Sequence, residues 1–188
     1  MNNELTISKL TAGDRGAAAR IFEISITDAF EQEGLGDLRE DIAQEIDSKN
    51  HLVQAAFSRV STDTFLLLAR LDGEAAGTIS FGPCGEEIRI CTGGRLNDVG
   101  ELGSLYVLPQ LQNRGIGSAL IRSMAEWLDA QGIEQFCLDS GYKRAQQRWL
   151  QKFGEPYATA QDYWGPGNPH MVWLCKVKDH VQTAGGRA

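Results

Sequence analysis

The chain has 188 residues, 42% of them hydrophobic and 23% charged, with a net charge of −7. That is enough apolar material for one domain with its own core, without metals or disulfides. The acidic balance argues against a nucleic-acid binder, because phosphate backbones demand Lys and Arg. No apolar run approaches the ~20 residues of a membrane span, and "MNNELTISKL" lacks an apolar signal core, so a cytoplasmic protein without a membrane partner is expected.

In chain order, "ELTISKL" alternates like a short strand. "TAGDRGAAARIFEISITDAF" reads as a helix whose Thr11 and Asp14 have capping-box spacing. A second helix places Leu38, Ile42 and Ile46 on one stripe. "TFLLLARLDGEAAGTISFG" is a hairpin around Asp72-Gly73, a dipeptide suited to a type I′ turn. Residues 82–100 are polar and Gly-rich, with "EIRIC" as a short strand within the connection.

A strand Glu101–Leu108, a helix from Gly115 to Gln131, a strand "QFCLDS" at 135–140 and a helix over 142–153 follow. "YATAQDYWGPGNPHMVWLCKV" supplies two final strands, and residues 179–188 read as a flexible tail after a single domain over 1–178. The order is β-α-α-β-β-β-α-β-α-β-β, an α/β (α+β) chain. Cys84, Cys91, Cys137 and Cys175 show no metal or disulfide spacing, and Cys137 and Cys175 read as core residues.

Glycines open the helix at 115–131 directly after a strand. The first four N–H groups of a helix lack partners and carry partial positive charge, and glycine lets a ligand approach them. That arrangement suits a phosphate, although a plain strand-to-helix turn also uses glycine. Two phosphate motifs fail: no Lys follows Gly115 or Gly117, and "GIGSAL" has Leu120 where a dinucleotide fingerprint needs its third Gly.

"QNRGIG", Gln112 to Gly117, with "LYVLP" before it and a helix and "QFCLDS" after it, resembles the Q/R-x-x-G-x-G/A signature of the GNAT superfamily of N-acetyltransferases. The element order over roughly residues 4–177 is similar to that family too. The resemblance implies a central mixed, mostly antiparallel sheet of about seven strands flanked by about four helices, with a splayed strand pair forming a coenzyme A cleft. It implies acetyl-CoA as co-substrate, its pyrophosphate held by Gln112, Asn113, Arg114, Gly115, Ile116, Gly117 and Ser118. Leu105, Tyr106 and Val107 would pair with the pantetheine arm, "FCLDS" forming the other wall.

An alkyl amine is protonated at neutral pH and must lose a proton before attacking a thioester. Glu101 stands where some members of the family place a general base, and strand parity groups it with Gly103, Leu105 and Val107. The family's proton-donating Tyr aligns with Leu150, which has no proton to give. Tyr142, Tyr106, Ser140 and Tyr157 are the replacements, with Tyr142 the first choice. An acyl-CoA-binding protein without activity is the alternative function. A serine hydrolase is a poor reading: there is no G-x-S-x-G, Ser104 and Ser118 have no identifiable His partner, and "PHMVWLCKV" reads better as core-forming strand. From Glu31 to Asp47 seven acids stand against one base, Arg39; the resemblance puts the first two helices and their connection beside the acceptor entrance and so implies a cationic amine acceptor, although a solvated helix face would carry the same charge. The family also admits a homodimer.

Overall fold

A computed structural model describes residues 4–57 and 63–181. Its seven strands are β1 (Leu5–Lys9), β2 (Phe65–Leu71), β3 (Glu74–Gly82), β4 (Glu101–Val107), β5 (Gln135–Ser140), β6 (Ala158–Ala160) and β7 (His170–Lys176). The helices are α1 (Arg15–Gln32), α2 (Arg39–Ala55), α3 (Glu86–Thr92), α4 (Ile116–Ala130) and α5 (Lys143–Phe153). The strands form one sheet in the order β1-β2-β3-β4-β5-β7-β6. All neighbours are antiparallel except β4 and β5, which run parallel with α4 as their crossover.

Local chemistry accounts for much of this. Thr11 N–H donates to Asp14 Oδ2 at 2.8 Å, so the expected capping pair opens a 3-10 turn that leads into α1. Asp72 and Gly73 both have positive φ, at 52° and 86°, as a type I′ turn requires, and they set the β2–β3 register. On α4 the residues Ile116, Leu120, Ile121, Met124, Ala125 and Leu128 are buried along one stripe against the sheet. Each large side chain there contributes about 1.5–3 kcal/mol by leaving water. The opposite face carries α1 and α2, with Phe22, Ile26 and Leu68 in its core.

Three sequence expectations change. "EIRIC" lies in α3, a helix, not in a strand. Its alternation misleads because Ile88 and Thr92, four apart, are buried while Ile90 is 57% exposed. The stripe on α2 begins at Ile42, since Leu38 precedes the helix with ψ 62° and is exposed. At the C-terminus the chain stays packed through His180, whose ring lies 5.1 Å from that of Phe153; residues 182–188 of the expected tail lie outside the described residues.

Candidate active site

Strands β4 and β5 meet at one rung. Among the described residues their pairing is limited to Glu101 opposite Cys137, closed by Cys137 N–H donating to Gly100 O at 2.9 Å. Gly100 is required there, because a Cβ would sit 2.1 Å from Phe81 Cζ. Beyond this rung the strands part, and the β5-facing backbone of β4 is open.

At the far end of β4, Pro109–Leu111 forms a 3-10 turn and Gln112–Gly115 leads into α4. Ala119 N–H donates to Gly115 O at 2.9 Å; among the described residues, the amides of 113–118 have no acceptor. Gly115 takes φ 80° with open space where a Cβ would point, and a Cβ on Gly117 would reach only Val107 Cγ2, at 3.9 Å. Ile116 is buried and pins this turn to the core, whereas Asn113, Arg114 and Ser118 are exposed. Lys152 Nζ donates to Ser118 Oγ at 3.3 Å, and Arg148 reaches Gln112 Oε1 at 3.4 Å. A row of free amides, two glycines without obstruction and nearby cations fit a pyrophosphate, and the open β4 edge fits an extended amide-bearing arm.

Glu101 occupies the rung itself. Gly85 N–H donates to its Oε2 at 2.7 Å. Burial and the neighbouring Asp139 push its carboxyl up to about 7, against the opposing pull of the Gly85 amide and Lys49. The strand parity read from the sequence fails, however. Thr78 pairs with Tyr106 but Ser80 pairs with Gly103, so β4 holds one extra residue, and Ser104 takes φ 46° in this bulge. Leu105 and Val107 therefore pack with the α4-side core, while Tyr106 packs on the α1/α2 side. Glu101, which is close enough to Lys49 of α2 to feel its charge, lies on the Tyr106 side.

The four donor candidates separate. Tyr106 O–H donates to Glu45 Oε1 at 3.1 Å, and Glu45 also pairs with Lys49 at 3.2 Å. Tyr142 caps α5 beside Phe30, with ring centroids 5.7 Å apart. Burial first, then Glu45, Glu33 and Asp41, push its phenol far up, so it stays protonated. Ser140 Oγ accepts the Tyr142 N–H at 3.0 Å and is committed to that turn. Tyr157 is exposed beneath the Arg95 guanidinium, 5.7 Å away. Leu150 is exposed on α5. The site thus brings Tyr106 and Tyr142 together around Glu45 and leaves Tyr157 out.

The model of the acetyltransferase (GNAT) family matches residues 18–154, nearly three-quarters of the chain. The chain belongs to the GNAT acetyltransferase family. GNAT enzymes take their acyl group from acetyl-CoA, so this is an acetyl-CoA-dependent acyltransferase family. Solved structures share the fold. A GNAT-family protein from Desulfovibrio desulfuricans is 15% identical with a TM-score of 0.68, covering 93% of this chain and 99% of that one. PaiA N-acetyltransferase from Thermoplasma acidophilum, solved with coenzyme A, is 16% identical with a TM-score of 0.65 over 92% and 99%. The ribosomal-protein-S18-alanine N-acetyltransferase of Escherichia coli is 15% identical with a TM-score of 0.60 over 98% and 99%. No curated protein matches the chain.

Within this GNAT fold, one group of polar residues escaped the sequence. His170 Nε2 and Asp139 Oδ2 are 2.9 Å apart, and Trp164 Nε1–H donates to His170 Nδ1 at 3.0 Å. His170 had read as part of a core strand, and it is indeed 4% exposed. The one sequence signal was an Asp inside the apolar "QFCLDS"; its partner is visible only once β5 and β7 pair. Among the described residues no helix is long and apolar enough to cross a membrane, and no cluster could hold a metal ion.

Proposed function

We propose that the chain is an N-acetyltransferase moving an acetyl group from acetyl-CoA to a primary amine of a cationic small molecule or peptide. The observation that carries this reading is Glu101, a carboxyl whose pKa is pushed up to about 7 at the one rung that joins the cleft walls among the described residues. Gln112–Ser118 hold the pyrophosphate, and Leu105, Tyr106 and Val107 offer backbone to the pantetheine arm. Acetyl-CoA supplies the activated acyl group.

Glu101 accepts a proton from the incoming ammonium, through Oε1 because Oε2 is taken by Gly85. A base with a pKa near 7 does this at neutral pH without remaining fully protonated. Of the two phenols, Tyr142 is left to donate a hydrogen bond where negative charge develops, since the hydroxyl of Tyr106 is given to Glu45. Its raised pKa favours hydrogen-bond donation over complete proton transfer. The acidic stretch supports a cationic acceptor, though with a narrower set of residues than its composition suggested. Glu33 and Glu45, both half-buried, and the exposed Asp41 act on Tyr142, whereas Glu31, Asp37, Glu40 and Asp47 are exposed and do not.

The test is thiol release across a panel of cationic, neutral and anionic amines. The best acceptor should be cationic, and its kcat/KM should fall with salt as the Debye length shrinks to about 3 Å at 1 M. Glu101→Gln should lower kcat about 10²–10⁴-fold and flatten the rise of rate through pH 7. A wild-type pH profile in that variant would remove Glu101 as base. Coenzyme A binding without turnover on any amine would favour the non-catalytic alternative.

A further inference from the structure

Three polar side chains follow one another across adjacent strands on one face of the sheet. Glu101 pairs with Cys137, so Asp139, two residues further along β5, is its diagonal neighbour on the same face. Asp139 pairs with Val172, which makes His170 its diagonal neighbour on β7. An indole nitrogen can only donate, so His170 Nδ1 accepts from Trp164 and the ring proton sits on Nε2. That proton is donated to Asp139 Oδ2. The contact is therefore a hydrogen bond from the ring N–H to the Asp139 side chain. The arrangement is sterically specified. Gly141 leaves room for the indole, since a Cβ there would lie 2.5 Å from Trp164 Nε1.

We propose that Trp164, His170 and Asp139 form a positioning chain that acts through Glu101, fixing one negative charge beside it and so setting the pH range in which Glu101 takes up a proton. The proposal rests on the reading of Glu101 as base. Several groups bear on Glu101: Asp139 from β5, Glu87 from α3, Lys49 from α2 and the Gly85 amide, with the Cys84 and Cys137 thiols alongside. Asp139 is itself close to Cys91 of α3 and to Tyr163, whose ring lies 5.3 Å from His170. Of the groups that raise Glu101 by charge, Asp139 is the largest contributor. A charge held by a buried imidazole is also better fixed than one on an exposed helix.

The experiment reads the Glu101 carboxyl directly, by ¹³C NMR titration of the full chain, so that it needs no acceptor. In the wild type it should titrate near 7. Asp139→Asn should move the midpoint toward acid by about one pH unit, the scale expected for removing a nearby like charge. Trp164→Phe keeps an aromatic ring and deletes only the N–H. It releases the ring from the indole, so the Asp139 carboxylate is no longer held in place beside Glu101 and the midpoint should move the same way. The acid limb of kcat/KM should follow both. An unmoved Glu101 midpoint in folded Asp139→Asn overturns the proposal, as does an unmoved midpoint in Trp164→Phe should the first variant fail to fold. Glu101→Gln with an unchanged pH–rate profile defeats the base reading instead, and leaves the titration result standing.

Discussion

A Cβ on Gly117 meets nothing closer than Val107 Cγ2 at 3.9 Å, so the fold admits a side chain there. A ligand approaching the free amides of 113–118 has no such room. Gly117→Val should therefore weaken coenzyme A binding at least tenfold while Tm changes little, as calorimetry and thermal melts can show. Gly115 makes a poorer probe because its φ of 80° strains any other residue. Tyr142→Phe separates two roles for a phenol. Losing one hydrogen bond to developing charge should cost roughly tenfold in kcat and leave KM for acetyl-CoA unchanged. Complete loss of turnover would mean that Tyr142 transfers its proton outright.

At the scale of elements, the bulge in β4 decides which side chains face α1 and α2 and which face the α4 core. It is held by Thr78 Oγ1–H donating to Ser104 O at 2.9 Å, with Thr78 fully buried. Thr78→Val should cost about 1–3 kcal/mol by leaving that carbonyl unpaired, measurable by urea unfolding. It should also lower kcat, because Glu101 and Tyr106 lie on either side of the bulge. Here sequence reading reached its limit. The hairpin at Asp72-Gly73, the buried stripe of α4 and the loop Gln112–Gly117 are local patterns, written in consecutive residues. The bulge is not, since nothing in "ELGSLYVLP" marks Ser104 for a left-handed conformation that strand pairing imposes. The helix α3 was hidden by Ile90, an exposed apolar residue that counterfeits alternation. Asp139 and His170 are 31 residues apart and meet only across paired strands.

For the molecule as a whole, Glu101 opposes stability at and above neutral pH. Its pKa rises on folding from 4.5 to about 7, so the folded state prefers the protonated carboxyl. The contribution is therefore fully present below pH 4.5 and is lost as pH rises through 7. The difference amounts to about 3 kcal/mol. Glu101→Gln should flatten that part of the stability–pH curve and gain relative to the wild type at pH 8, read from unfolding midpoints across the range. An unchanged curve would mean that the carboxyl titrates near its ordinary value.

Among the described residues, the single rung between β4 and β5 gives this sheet two inner margins as well as its outer ones at β1 and β6. On the proposed placement, the pantetheine arm along the inner margin of β4 would complete the sheet much as a strand would, and the co-substrate would double for a time as secondary structure. Amide protons report such an event directly. Deuterium uptake along Gly103–Val107 should slow when coenzyme A is added, while β2 and the β3 hairpin, already paired on both sides, should exchange at the same rate with or without it.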